Sequence, residues 1–318
     1  MKVMLMAALL ILCGNAYSET VFVTLEKDNA LAIVDPEAGQ LIKTVAVGQR
    51  PRGIAISKDF RQLYVAASDD DTIQVVDIDT MKVVGNLPSG KDPETFAVNP
   101  KGDLLFASNE DDGRVTAIDI QKQKAIKEIP VGVEPEGITV SPDEKWVASA
   151  SEATNMVHWI DRKTLAVADN TLVDPRPRAL SFTQDSKQLW VTSEMAGTVT
   201  VIDAESRQII KNIKFEIPGL TAGKIQPVGV VIDEKRQWAY VALGPANRVA
   251  QINAQTLEPE KYFLVGQRVW NLAFSPKQDR LYTTNGVSND ISIIDLERME
   301  VAKSIGVGQY PWGIAVKP

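Results

Sequence analysis

Six side chains occupy one recurring place along the chain yet differ in chemistry from copy to copy: Arg52, Glu94, Glu136, Arg178, Trp270 and Trp312. Each stands just before a short alternating apolar run such as Gly53-Ile54-Ala55-Ile56 or Gly137-Ile138-Thr139-Val140, and Val228 holds the seventh place. Most follow a proline (Pro51, Pro93, Pro135, Pro177, Pro227, Pro311), which fixes the angle at which the chain arrives. One step earlier stand Arg50, Asp92, Glu134, Arg176, Gln226, Arg268 and Tyr310. Guanidinium groups suit carboxylates or phosphates, and indole faces suit flat rings or cations. If these positions converge, they form a mouth that binds a small anionic or planar ligand, or an exposed loop of a partner. The competing reading is a set of Arg–Glu pairs between neighbours, with tryptophan as a plug. A hydrolytic reaction would need a base and an electrophile, for which Glu94, Glu136 and Arg178 are the candidates.

Other reactive side chains are scarce. His158 is the sole histidine and Cys13 the sole cysteine. His158 sits within Met156-Val157-His158-Trp159-Ile160-Asp161, where a strand position, outward or half-buried, is expected. No Gly-x-Ser-x-Gly, His-Glu-x-x-His, phosphate loop or haem attachment motif occurs. The expectation is therefore a chain that is not an enzyme, with no cofactor and no metal. Acidic residues at Glu26, Asp69-Asp70-Asp71, Glu110-Asp111-Asp112, Glu152 and Glu194 read as a solvated surface; the two triplets lack the spacing and glycine of a calcium loop.

What must position the six residues is a repeat. The apolar run recurs at Gly53, Thr95, Gly137, Ala179, Gly229, Asn271 and Gly313, at spacings of 42 residues with a single interval of 50. A second anchor, at Asp35, Asp77, Asp119, Asp161, Asp203, Asn253 and Asp295, keeps the same intervals. Each copy reads as four short strands. In the second they are Gly53–Ser57, Leu63–Ala67, Ile73–Asp77 and Lys82–Leu87, separated by Asp-rich turns. Four-stranded repeats of this length form propeller blades, so the fold expected is all-β: a seven-bladed β-propeller of antiparallel blades. The chain reaches Lys317-Pro318 after a first strand and begins at Val21-Phe22-Val23-Thr24 with a second, so the C-terminal strand completes the N-terminal blade. The eight extra residues fall around Phe215 to Gly223, in a loop on the face of the mouth.

Residues 1–18 read as a signal peptide: Lys2, the apolar run Met4–Leu12, and Ala16-Tyr17-Ser18 before cleavage at Glu19. A lipoprotein signal ending at Cys13 fits less well, because Leu12 is large. The apolar run is too short to span a bilayer, so no membrane insertion is expected. Residues 19–318 form one domain in this reading. The net charge is −7, and −8 without Lys2, which speaks against nucleic acid as a partner.

Phe22-Val23-Thr24-Leu25, Leu63-Tyr64-Val65-Ala66, Leu189-Trp190-Val191-Thr192 and Leu281-Tyr282-Thr283-Thr284-Asn285 resemble the Tyr-Val-Thr-Asn repeats of YVTN-family propellers. The downstream Ile33-Val34-Asp35, Val201-Ile202-Asp203 and Ile293-Ile294-Asp295 match as well. A signal peptide followed by bare repeats looks like the propellers associated with PQQ-dependent catabolism. That resemblance implies a periplasmic, non-catalytic binding or scaffold protein. It would act with quinoprotein alcohol oxidation and transport, its partners a quinoprotein dehydrogenase, a cytochrome c or a transporter component. The alternatives are a lactonase-like hydrolase using the carboxylates and arginines of the mouth, and a structural surface propeller.

Overall fold

The computed structural model describes residues 19–318, so the signal-peptide reading of residues 1–18 lies outside the described residues. Seven four-stranded antiparallel sheets follow one another around a ring. In blade two the strands run Pro51–Ile56, Gln62–Ala67, Thr72–Asp77 and Lys82–Pro88, within two residues of the bounds expected from sequence. Here strands a to d denote this order from the ring's centre outward. Blade one closes the ring. Its strand a is Pro311–Lys317, which pairs antiparallel with Thr20–Leu25 through Val21↔Val316, Phe22↔Ala315 and Val23↔Ile314.

Burial follows the radius. Strand b of blade two is almost wholly buried, whereas strand d is mostly exposed. The reason is that both faces of a blade pack on neighbours, so the apolar side chains meet between sheets. Val21, Val23, Leu25 and Val34 of blade one join Tyr282, Ile291 and Ile293 of blade seven in a single core cluster. A strand covered on both faces needs an unbroken apolar run instead of strict alternation, which Leu63-Tyr64-Val65-Ala66-Ala67 supplies.

Two devices set the inner wall. The glycine anchors allow the strands a to crowd together: a Cβ on Gly137 would stand 1.9 Å from the Arg178 carbonyl oxygen, and one on Gly313 2.3 Å from that of Arg52. Strand-b hydroxyls then hold the next blade. Thr24 Oγ1 donates to the Arg52 carbonyl at 2.8 Å, Thr192 to Val228 at 2.7 Å and Thr284 to Trp312 at 2.7 Å.

The loops are fastened by a repeated clip. In five of the seven blades the side-chain oxygen of the residue ending the b-to-c loop, Asn29, Asp71, Asn155, Asn247 or Asn289, accepts the backbone N–H of Arg50, Asp92, Arg176, Arg268 or Tyr310 respectively. All ten residues are left-handed, with φ between 48° and 61°. Asn and Asp tolerate that conformation; the arginines and Tyr310 are held in it by the clip. The extra residues lie between blades five and six, where Phe215, Ile217 and Ile225 pack into the core beside Trp190 and Val241. Their cost is a shortened strand a in blade six, Val230–Ile232.

Candidate functional site

The clips and hydroxyl bonds place the recurring position at one mouth of the central channel. Arg52, Glu136, Arg178 and Trp270 line a cavity of about 420 Å³, together with Arg50, Glu110, Glu152, Arg176, Glu194 and Arg268. Below it lies a narrower space of about 180 Å³, walled by Glu136, Arg178, Val228, Trp270 and Trp312 among others. Glu136, Arg178 and Trp270 border both, so they form the constriction between mouth and channel. Glu94 borders neither. It is fully buried behind the arginines, with Oε1 3.0 Å from Arg50 Nη1 and Oε2 bonded to Arg52 Nη1. Five of the six expected residues thus converge on the channel, and Glu94 serves as their counter-ion.

The arginines are paired within the protein. Arg178 reaches Glu136 at 2.7 Å, Glu152 at 2.9 Å and Glu194 at 3.2 Å. Arg176 meets Glu152 at 2.9 Å, and Arg50 meets Asp69 at 2.6 Å and also Asp92. Arg268 touches Glu194 at 3.1 Å and donates to the side-chain oxygen of Gln226, the residue at the equivalent repeat position one blade back, at 3.2 Å. The indoles are covered as well. The Arg268 and Arg178 guanidinium carbons lie 4.4 and 5.6 Å from the Trp270 ring centre, and Arg52 lies 5.5 Å from that of Trp312. The charge pairing across blades that the sequence offered as one reading is present, and the paired groups line the cavity at the channel mouth.

One carboxyl stands apart from that pairing, and a second is raised although it belongs to it. Glu110 has no arginine within salt-bridge distance; burial, then the neighbouring Glu94, push its pKa up to about 8. Burial also raises Glu152 to about 7, opposed by Arg178 and reinforced by Glu136. Its Oε1 lies 2.9 Å from Arg178 Nη1 as an ion pair without a hydrogen bond. Glu136, wholly enclosed, is raised by desolvation against the pull of Arg178. A base near neutrality, an acid just above it and a guanidinium beside them is a set able to move protons around a polarised carbonyl.

Glu110 and Glu152 correct the reading of the acidic loops as solvated surface. Glu26, Ser68, Glu110, Glu152, Glu194, Gly244 and Gly286 occupy a second equivalent position in the repeat. The backbone N–H groups of Glu110, Glu152 and Glu194 bond to the carbonyls of Asp92, Glu134 and Arg176, which turns this position toward the mouth. The signal was therefore in the register, not in the charge. The aspartates beside them are fasteners: Asp70 accepts the Gln49 N–H at 2.8 Å and Asp112 that of Lys91 at 2.7 Å. Asp92, Glu94 and Glu110 bring carboxylate oxygens within 4.8 Å of one another, but Arg50 and Arg52 already neutralise the first two. His158 is buried, its Nε2 accepting the Gly132 N–H at 2.9 Å and its Nδ1 2.6 Å from the Asn170 oxygen. Desolvation lowers its pKa, so it is a neutral part of the scaffold.

Comparison with known proteins adds to this. The model of the family "Lactonase, 7-bladed beta-propeller" matches residues 21–126, a stretch containing Arg52, Glu94 and Glu110. The model "Choice-of-anchor I domain" matches residues 107–315, well over half the chain. No curated protein matches the sequence. Among solved structures, Kuenenia stuttgartiensis hydrazine synthase superposes with a TM-score of 0.74 at 21% identity, over 83% of this chain and 88% of that one. A Bacteroides fragilis protein proposed to be a 6-phosphogluconolactonase gives 0.79 at 17% identity, over 96% and 99%. Its Bacteroides uniformis counterpart gives 0.79 at 15%, over 94% and 100%. At such identities the superpositions speak for the fold alone. The lactonase match nonetheless overturns the expectation that the chain is not an enzyme, which rested on a shortage of histidine and cysteine; carboxyls and arginines suffice for hydrolysis. By the longer of its two matches, the chain belongs to the choice-of-anchor I domain family.

Proposed function

We propose that the channel mouth hydrolyses a small lactone. The observation carrying this reading is that Glu152 and Glu110 face one cavity with proton affinities of about 7 and 8, beside Arg178. Ionised Glu152 takes a proton from the water that attacks the ring carbonyl. The charge that develops on the carbonyl oxygen falls among the guanidinium groups of Arg178 and Arg268. Protonated Glu110 then gives its proton to the ring oxygen as the carbon–oxygen bond breaks, leaving an open hydroxy acid. The lactonase match over residues 21–126 supports the assignment.

The YVTN-like strands and the signal-like residues 1–18 support a periplasmic setting beside quinoprotein alcohol oxidation. Oxidation of a cyclic hemiacetal yields a lactone, so a hydrolase of this class fits downstream of such an enzyme.

The test is a pH-stat assay of the purified protein against γ- and δ-lactones, sugar lactones included. Turnover should peak between pH 7 and 8, and fall by about 10²-fold or more in Glu110→Gln and in Glu152→Gln. No turnover above that of the double variant, with any of these lactones, overturns the reading.

A further inference from the structure

The grooves between neighbouring blades on the face opposite the mouth can be compared with one another, because the repeat aligns them residue by residue. Between blades four and five the groove is filled by the protein itself. The Arg207 guanidinium carbon lies 4.2 Å from the Trp146 ring centre and 5.4 Å from that of Trp159, and its Nε is 3.7 Å from Asp169. Asp143 and Asp185 flank this groove on the two a-to-b turns, Asp185 pairing onward with Arg236.

The groove between blades six and seven keeps the aromatic shelf and reverses the charges. Trp146 and Phe182 correspond to Trp238 and Phe274, whereas Asp143, Asp169 and Asp185 correspond to Lys235, Lys261 and Lys277. The strand register confirms the alignment: Asp169 pairs with Trp159 as Lys261 pairs with Gln251. The position of Arg207 is taken by Met299, which leaves a cavity of about 660 Å³. All of these six-and-seven residues line that cavity, with Tyr240 edge-on to Phe274 and hydrogen-bonded to Gln251 at 3.0 Å in its floor. Lys261 is steadied by donating to the Met299 carbonyl at 2.6 Å. The carboxylates that also line the groove are largely engaged. Asp233 accepts the N–H groups of Gln237 and Trp238, Glu260 accepts the Asn253 amide, and Glu234 stands exposed.

We infer that this groove binds an arene carboxylate: a flat ring laid on Trp238 and Phe274, with its anionic group among Lys235, Lys261 and Lys277. Where the homologous groove supplies a planar cation and aspartates, this one supplies lysines and lacks the planar guest. Its volume lies in the range of small-molecule sites. The site is separate from the channel mouth and does not depend on the reaction proposed there.

Titration calorimetry with 2-naphthoate and with the (2-naphthyl)trimethylammonium cation tests it on the intact protein. Expected is saturable binding of 2-naphthoate with a Kd of about 1 mM or tighter. The cation should bind at least ten-fold more weakly. Lys261→Glu with Lys277→Glu should weaken the anion at least ten-fold, Trp238→Ala likewise, and Glu110→Gln should change nothing. Equal binding of cation and anion, binding untouched by the lysine changes, loss of binding in Glu110→Gln, or no saturation by 20 mM each overturns the inference. Melting curves establish that the variants are folded.

Discussion

Glu110 is a carboxyl that the folded chain keeps protonated at neutral pH. Its folded-state pKa of about 8 lies above the ordinary 4.5, so between these values the native state holds a proton that the unfolded chain releases. Stability therefore falls as pH rises through that window. Glu152 and Glu136 act with the same sign. Glu110→Gln removes one of these contributions, so the decline in melting temperature between pH 5.5 and 8.5 should become shallower; thermal denaturation at four or five pH values checks this. An unchanged slope would mean that Glu110 ionises normally. Arg178 is a poorer probe, because removing it leaves buried Glu136 without its guanidinium partner and takes one such partner from Glu152 and Glu194.

At the scale of the element, the b-to-c loop ties down the inter-blade loop that carries the mouth arginines. Asn155→Gly keeps the left-handed backbone available and deletes only the 3.0 Å bond to the Arg176 N–H. It should cost about 1 kcal/mol, and Asn155→Ala more, since alanine resists a positive φ. Denaturant melts of the two variants give the comparison. The strands themselves were legible in the sequence: Leu63-Tyr64-Val65 and Ile293-Ile294-Asp295 announce them by composition and by recurrence at 42 residues. The loops were not. Glu110 and Asp112 are two residues apart and equally acidic, yet one faces the mouth and the other caps Lys91. Nothing in their type separates them; their place in the repeat does. Glu94 shows the reverse, because it shares its place with Glu136 but is turned inward by Arg50 and Arg52.

For the whole molecule, stability depends on closing the ring. Residues 310–318 supply strand a of blade one, bond Tyr310 to the Glu26 N–H and place Trp312 in the channel wall. Deleting them exposes the edge of Thr20–Leu25 and the flank of blade seven, and the protein should aggregate on expression. A soluble truncation that melts cooperatively at the parent temperature, measured by calorimetry, would show that the ring holds without its clasp. The geometry of that clasp also fixes how the fold answers to force. Thr20 faces Lys317 at one end of an antiparallel pair. Tension drawn between these two residues opens the rungs one after another, as a zipper does, instead of shearing them together. A ring closed at this seam therefore meets such a load with one hydrogen-bonded rung at a time and not with the whole strand.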